Sequence, residues 1–160
     1  MRADSRFMRQ RLSRLIALGF GSGLSPYAPG TVGTLWAWLS FVVLDRWLEP
    51  ATWAVAIGVA GATGVWACGK TARDLGVADH GSIVWDEIVA FWLVLLFVPA
   101  ELLWQLAAFL WFRFYDILKP QPARFFDTQV KNGFGVMMDD LVAAGYTILT
   151  IAIFKAFLPF

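Results

Sequence analysis

The sequence predicts an all-α, polytopic helical membrane protein with about four to five membrane-embedded helices, folded as a single domain over residues 1–160. Apolar residues make up 59% of the chain and charged residues only 16%. Soluble domains usually contain about 45–50% apolar and about 25% charged residues. The net charge of +1 and the lack of an interleaved basic-aromatic pattern argue against nucleic acid as a partner. The sequence does not determine the oligomeric state.

Residues 1–17 are basic and are predicted to form an amphipathic segment on the cytoplasmic membrane surface. The segment contains one acidic residue, Asp4, beside its arginines. The apolar stretch that follows is broken by glycines and has no small-residue cleavage site, so we interpret the segment as retained rather than as a signal peptide. The arginines are Arg2, Arg6, Arg9, Arg11 and Arg14.

The next stretch, residues 19–35 (GFGSGLSPYAPGTVGTL), contains five glycines and two prolines, which disfavour a continuous helix. Two interpretations remain open. In the functional one, exposed backbone N–H groups bind a phosphate, Thr31 or Thr34 caps a helix, and Ser22 and Thr31 are substrate-binding residues. In the structural one, the stretch is a tight re-entrant turn packed against other helices.

Apolar segments of helical length then follow one another along the chain, at residues 33–48, 51–69, 88–98, 102–112 and 141–160. The third and fourth are short for a full span and are predicted to form a helical hairpin around Pro99. Glycines at intervals of three, Gly58, Gly61 and Gly64, predict close helix packing in the second segment. Aromatic residues are expected to flank the lipid at the membrane interface, namely Trp85, Trp92, Trp111 and Phe112.

The distribution of Lys and Arg predicts the orientation of these spans. If the N-terminus is cytoplasmic, eleven of the thirteen basic residues fall on the cytoplasmic side, and only Arg46 and Lys155 fall on the other. The acidic residues between the spans then also meet at the cytoplasmic face. The sequence therefore predicts an active site on that side.

Three polar islands carry the candidate chemistry: residues 79–87 (DHGSIVWDE), residues 113–131 and the pair at 139–140. Ionisable groups at the edge of an apolar span are functional by default. Carboxylates in such numbers, without cysteine or histidine clusters, suit Mg²⁺ or another hard divalent cation. Adjacent helical residues point about 100° apart, so one carboxylate of each adjacent pair is expected to be a direct ligand. The predicted metal residues are Asp86, Glu87, Asp139 and Asp140.

The second island has the pattern expected for binding a phosphate ester. Arg113, Asp116 and Lys119 are spaced i, i+3, i+6, on one helix face, and the helix is expected to end before Pro120. Lys119, Arg124 and Arg113 are predicted to bind phosphoryl oxygens. Asp116 is interpreted either as a nucleophile or as a metal ligand that assists attack by water. A surface helix with simple Arg–Asp pairing is the structural alternative.

His80 is the only histidine, and Asp79 lies beside it. We predict that Asp79 orients His80 so that His80 donates a proton to the leaving alcohol. An equally open alternative makes His80 a helix cap. A mechanism with two histidines is excluded, and so is the Asp-x-Asp pattern of the haloacid dehalogenases. A cysteine phosphatase is excluded because Cys68, five residues before Arg73, ends an apolar span rather than lying in a phosphate loop.

Four ordered motifs together resemble the phosphatidylglycerophosphatase A family: GFGSGLSPYAPGTVGTL, DHGSIVWDE, FRFYDILKPQPARFFD and GFGVMMDDLVAAG. The resemblance runs from Leu18 to Ala144. It implies a magnesium-dependent enzyme of the bacterial inner membrane that hydrolyses phosphatidylglycerophosphate to phosphatidylglycerol and inorganic phosphate in phospholipid biosynthesis. The family's acidic positions match Asp86, Glu87, Asp116, Asp139 and Asp140. A transporter would instead place carboxylates at mid-membrane, and a scaffold would need no metal-like constellation.

Overall fold

The computed structural model describes residues 3–158, and these residues form helices without any β-strand. The all-α prediction is confirmed. The helices are joined by short turns, and a 3₁₀ helix, Gly19–Leu24, precedes the third of them. The α-helices are α1 Ser5–Arg9, α2 Leu12–Ala17, α3 Pro29–Leu44, α4 Pro50–Leu75, α5 Trp85–Phe97, α6 Leu102–Leu118, α7 Ala123–Gln129 and α8 Gly133–Phe157.

Helix α5 is the centre of the bundle and packs against α3, α4, α6 and α8. Its residues Ile88, Val89, Ala90 and Phe91 are all at most 1% exposed. This explains why the stretch after Glu87 has no charge, because a helix surrounded by others buries all its faces. The predicted hairpin with α6 is present, with its turn at Pro99.

Two helices, α4 with 26 residues and α8 with 25, are long and apolar enough to cross a membrane. The remaining helices are shorter. Several helices nevertheless expose large apolar side chains outward, among them Leu39 of α3, Val55 of α4, Leu110 of α6 and Ile153 of α8. A membrane protein is therefore plausible from the length of two helices and from the outer surface of the bundle.

Helices α4 and α8 cross closely at glycines, although mostly not at those predicted. A Cβ atom at Gly64 would lie 2.7 Å from the Met137 sulfur, and one at Gly133 would lie 2.9 Å from the Gly69 nitrogen. Gly58 has open space around it, and Gly61 approaches a neighbour only at 4.0 Å. The interval of three therefore identified one of the contact glycines, Gly64, and the closest backbone approach lies beside it, where a Cβ atom at Gly133 would be 2.0 Å from the Val65 oxygen.

The expectation that the aromatic residues flank the lipid is wrong for most of them. Trp85, Trp92 and Phe112 are buried, and only Trp111 is half-exposed. The Trp85 indole N–H donates to the Ala60 carbonyl oxygen at 3.0 Å, and that of Trp92 donates to the Ala37 oxygen at 3.1 Å. Buried indoles need such acceptors, so these residues join helices inside the core.

The N-terminal segment is docked on the bundle by a buried arginine. Arg14 is 6% exposed, and its Nε donates to Asp74 of α4 at 2.9 Å. A second donor of the same guanidinium reaches Gln10 at 2.7 Å. Arg14 is therefore a structural anchor, and Arg11 Nη1 lies 3.9 Å from the same Asp74 carboxylate, whereas the exposed Arg6 and Arg9 remain available to solvent or lipid. Arg2, like the last two residues of the predicted closing span, lies outside the described residues.

The closing helix begins earlier than the predicted start at residue 141. Asn132 caps α8, and its side-chain oxygen accepts a hydrogen bond from the Gly135 N–H at 3.0 Å. Asn is a favoured N-cap residue because it satisfies an otherwise unpaired helix donor. Asp139 and Asp140 consequently lie within a helix and not in a loop between spans.

Candidate active site

The candidate site forms where helix ends meet at one end of the bundle. The N-terminus of α5 provides Asp86 and Glu87 in its first turn, where the helix dipole favours negative charge. This turn is held by the Val84 N–H, which donates to the Ala17 carbonyl oxygen at 2.9 Å. The second turn of α8 and the last two turns of α6 complete the site.

Asp86, Glu87 and Asp140 form what we call the inner cluster, in which one oxygen from each lies within 4.8 Å of the others. Asp86 is 4% exposed and Asp140 is 2% exposed. Each of the three residues has a buried oxygen without a hydrogen-bond partner: Asp86 Oδ1, Glu87 Oε2 and Asp140 Oδ2. A buried carboxylate without a partner has to take up a proton or bind a cation, and three of them around one point offer oxygen ligands to a cation. The residues therefore fit a hard divalent metal ion.

A row of alternating charges on α6 lies beside this cluster. Arg113 Nη1 lies 3.8 Å from Glu87 Oε1 and forms a short hydrogen bond with Asp116 Oδ2. The other Asp116 oxygen lies 3.9 Å from Lys119 Nζ. The i, i+3 spacing predicted these contacts. Lys119 has a positive φ of 50° and ends α6 before Pro120, as expected.

Lys119 is surrounded by carboxylates. Its Nζ donates to Asp139 Oδ2 at 2.6 Å and lies 3.7 Å from Asp127 Oδ1. Burial disfavours the charged amine, but Asp139, Asp140 and Asp116 outweigh burial and raise the pKa of Lys119 above its ordinary value. Lys119 therefore carries a positive charge at every physiological pH.

Asp79, Asp127 and Asp139 form an outer cluster, again with one oxygen from each within 4.8 Å of the others. The four predicted metal residues are thus divided between the inner and outer clusters, because the adjacent residues Asp139 and Asp140 point in different directions from α8. One residue of this pair therefore joins each cluster, whereas Asp86 and Glu87 of α5 both belong to the inner cluster. One direct ligand per pair stays a prediction.

Asp127 was missed by the sequence reasoning. It lies in α7, and only the fold brings it to Asp79 and Asp139. The available signal was its position as the only acidic residue between Pro120 and Asn132, within a segment rich in cations.

The predicted pairing of His80 with Asp79 is wrong. His80 Nδ1 accepts a hydrogen bond from the Ser82 N–H at 3.1 Å, and no hydrogen bond or ion pair joins His80 to Asp79 among residues 3–158. The Asp79 carboxylate belongs to the outer cluster instead. The cap alternative is also wrong, since Val84 is the N-cap of α5. Because Nδ1 accepts, the neutral imidazole carries its proton on Nε2.

The glycine-rich stretch packs closely against the site and against α5, while phosphate binding by its N–H groups stays a prediction. A Cβ atom at Gly30, in the first turn of α3, would lie 2.6 Å from Glu87 Oε1 and 3.1 Å from Arg113 Nη2. This glycine therefore lets the α3 backbone approach the charged groups. At Gly33 a Cβ atom would meet Val84 at 2.8 Å, which is the packing role.

The threonine caps predicted for this stretch are absent. The N-cap of α3 is Ala28, without a side-chain cap, and Thr34 Oγ1 donates back to the Gly30 oxygen at 2.8 Å. Thr31 lies half-buried beside Gly30, whereas the Ser22 hydroxyl is used within the 3₁₀ helix, where it donates to the Gly19 oxygen at 2.8 Å.

Arg124 is not brought into the site. It is exposed on α7 and makes no ion pair with a carboxylate in the described part of the chain. The cations at the two clusters are instead Arg113 and Lys119, both half-buried.

Comparison with known proteins assigns the family. The sequence profile of phosphatidylglycerophosphatase A matches residues 15–155, which include every helix of the site. The chain belongs to the phosphatidylglycerophosphatase A family. This confirms the resemblance inferred from the four motifs. No solved structure matches the chain.

Relatives from three bacteria are similar over most of their length. The chain is 48% identical over 139 residues to phosphatidylglycerophosphatase A of Haemophilus influenzae, covering 86% of this chain and 85% of the relative. It is 44% identical over 142 residues to phosphatidylglycerophosphatase A of Escherichia coli, covering 88% and 82%. It is 42% identical over 147 residues to a Bacteroides thetaiotaomicron protein provisionally named phosphatidylinositol-3-phosphatase, covering 87% and 91%.

Proposed function

We propose that the chain is a magnesium-dependent lipid phosphatase that hydrolyses phosphatidylglycerophosphate to phosphatidylglycerol and inorganic phosphate. The observation that carries the proposal is the inner cluster, three buried carboxylates with unpartnered oxygens beside the guanidinium of Arg113. Carboxylates that need a cation, next to a side chain that binds phosphate, suit a phosphomonoester. The family membership supplies the substrate class.

Asp86, Glu87 and Asp140 would hold the metal ion, since Mg²⁺ takes oxygen ligands and uses a few carboxylates together with water and phosphate oxygens. When bound, Mg²⁺ supplies positive charge that neutralises the phosphoryl group.

Arg113 and Lys119 bind and orient the terminal phosphate. The Arg113 Nε is buried without a partner, so that N–H is available to a phosphoryl oxygen. Both oxygens of Asp116 contact these cations, which supports a positioning role for Asp116 and attack by water rather than by this carboxylate. Thr31, beside Gly30, is retained as a candidate contact.

His80 is retained as a hydrogen-bond donor to the leaving oxygen through Nε2, with its ring held by Ser82 and not by Asp79, and the proton that the leaving alcohol gains comes from the attacking water. Ser22 and Arg124 are left out of the proposed site, because one is bound within its own turn and the other is exposed.

We further propose that α3, α4, α5, α6 and α8 are membrane-embedded, as one domain in a multi-pass protein of the bacterial inner membrane. The length of α4 and α8 and the outward apolar side chains of α3 and α6 support this placement. The positive-inside rule places the site end of the bundle at the cytoplasmic face. A lipid phosphate at that leaflet would meet the site without leaving the membrane.

Phosphate release from phosphatidylglycerophosphate by the purified chain in detergent tests the proposal. We expect turnover with Mg²⁺, loss of turnover in EDTA and recovery when Mg²⁺ is restored. The His80→Ala variant in the same assay should be slower than the unchanged chain, because it loses the hydrogen bond to the leaving oxygen. Full turnover in metal-free buffer would exclude the metal-dependent mechanism.

Phosphatidylinositol 3-phosphate is the second candidate substrate, favoured by the similarity to the Bacteroides protein. It also presents a phosphomonoester on a lipid headgroup, but the ester belongs to a bulkier ring. The values of kcat/KM for the two lipids in the same micelles decide between the candidates.

Gly30→Ala is expected to lower kcat/KM about tenfold without loss of thermal stability. The added Cβ atom would lie 2.6 Å from Glu87 Oε1, so the Glu87 carboxylate has to move while the helix itself tolerates alanine. Gly58→Ala is the matched control, because its Cβ atom would meet nothing within 4 Å. Equal activity of Gly30→Ala and Gly58→Ala would show that Gly30 plays no part in the site.

A further inference from the structure

The outer cluster joins three separate parts of the fold. Asp79 lies in the turn before α5, Asp127 in α7 and Asp139 in α8. The three carboxylates line a small cavity with a volume of about 10 Å³. That volume accommodates about one water-sized particle.

Asp139 adds an observation independent of the clustering. The residue is 3% exposed, and its Oδ2 accepts the hydrogen bond from Lys119. Its Oδ1 is buried without any hydrogen-bond partner. A buried carboxylate oxygen in that state lacks compensation for the water it has lost.

Neither of the nearby lysines donates a hydrogen bond to Asp139 Oδ1. Lys119 donates to the other oxygen of Asp139 and also lies 3.7 Å from Asp127 and 3.9 Å from Asp116, so its one positive charge is shared among three carboxylates. Lys131 also lines the cavity, but its amine donates to the backbone carbonyl oxygen of Asp127 at 2.8 Å and not to a carboxylate. Negative charge therefore exceeds positive charge around Asp139 Oδ1.

We propose that the outer cluster is a second divalent-cation site, separate from the inner cluster, with Asp79, Asp127 and Asp139 as its carboxylate ligands. Mg²⁺ and Mn²⁺ are the matching ions, because the ligands are hard oxygens and the cavity is small. A cation there would fix α7 and the turn before α5 to α8, beside the amine of Lys119. The ligands are not those of the inner site, so each site can be lost without the other.

Equilibrium dialysis with Mn²⁺ on the full chain in detergent counts the ions bound. We expect about two Mn²⁺ per chain in the unchanged protein, about one in Asp79→Asn, Asp127→Asn and Asp140→Asn, and about none in the double variant Asp127→Asn/Asp140→Asn. Glu101→Gln, which removes an exposed carboxylate elsewhere, should keep about two. Asp79 is exposed and makes no hydrogen bond or ion pair within residues 3–158, so its variant is expected to fold.

The pattern of loss separates the possible outcomes. If Asp79→Asn and Asp127→Asn bind as much Mn²⁺ as the unchanged chain, Lys119 is the only cation of the outer cluster and the proposal is overturned. If one ion is bound, kept in Asp140→Asn and lost in Asp127→Asn, the outer site stands and the inner metal site of the proposed function fails. If no ion is bound, both fail.

Discussion

Asp140→Asn is expected to lower kcat about a thousandfold, which corresponds to about 4 kcal/mol of transition-state stabilisation. Asp140 is 2% exposed, and its carboxylate closes the inner cluster together with Asp86 and Glu87. The amide has the same shape but no charge, so the cluster loses much of its affinity for a divalent cation. Phosphate release at saturating lipid measures the effect.

Stability provides the control for this variant. Replacing one of three crowded carboxylates by an amide reduces their repulsion, so Tm in EDTA should not fall. The rise in Tm that Mg²⁺ gives the unchanged chain should become smaller. Glu101→Gln removes an exposed carboxylate and should change neither quantity. Normal turnover of a folded Asp140→Asn variant would remove Asp140 from the site.

Lys119→Ala is expected to lower turnover about 10²-fold to 10³-fold per folded molecule. Lys119 is the only ammonium that contacts both Asp116 and Asp139 among the described residues, and its raised pKa keeps it charged. Its loss also leaves Asp139 Oδ2 without a donor, so some stability is lost and turnover has to be normalised to folded protein.

Lys155→Ala is the matched control, since this exposed lysine lies near the C-terminal end of α8, away from both clusters, and should affect turnover by about twofold at most. Asp116→Asn belongs to the same series. As a positioning residue, Asp116 can be replaced at a cost of about tenfold. Complete loss of activity, together with labelled phosphate trapped on the unchanged chain but not on this variant, would identify Asp116 as the nucleophile.

The sequence predicted what depends on local spacing. Arg113, Asp116 and Lys119 contact one another because residues three apart share a helix face, and Pro120 ends that helix. The all-helical class followed from composition. The orientation of Asp139 away from Asp140 was also accessible, because it follows from helix geometry alone.

Contacts between distant segments could not be predicted from spacing. Asp127 meets Asp79 only because α7 folds back onto α8, and no pattern within either segment encodes that contact. Trp92 was expected at the lipid surface, but apolar composition does not distinguish a helix that faces lipid from one enclosed by other helices. The predicted pairing of His80 with Asp79 failed for a related reason, since the His80 ring nitrogen accepts its hydrogen bond from the backbone N–H of Ser82 instead.

The close crossing of α4 and α8 at glycines determines where the carboxylates of α8 lie. At Gly133 the backbones of the two helices meet with no side chain between them, since a Cβ atom there would lie 2.0 Å from the Val65 oxygen, so the separation of the helices is fixed at that point. Asp139 and Asp140 are therefore set in position relative to α4. Helix α7 also packs on α8, so the segments that carry Asp127, Asp139 and Asp140 all take their positions from α8. A single helix therefore ties the inner and outer clusters to each other, and a substitution that displaces α8 should disturb both clusters together.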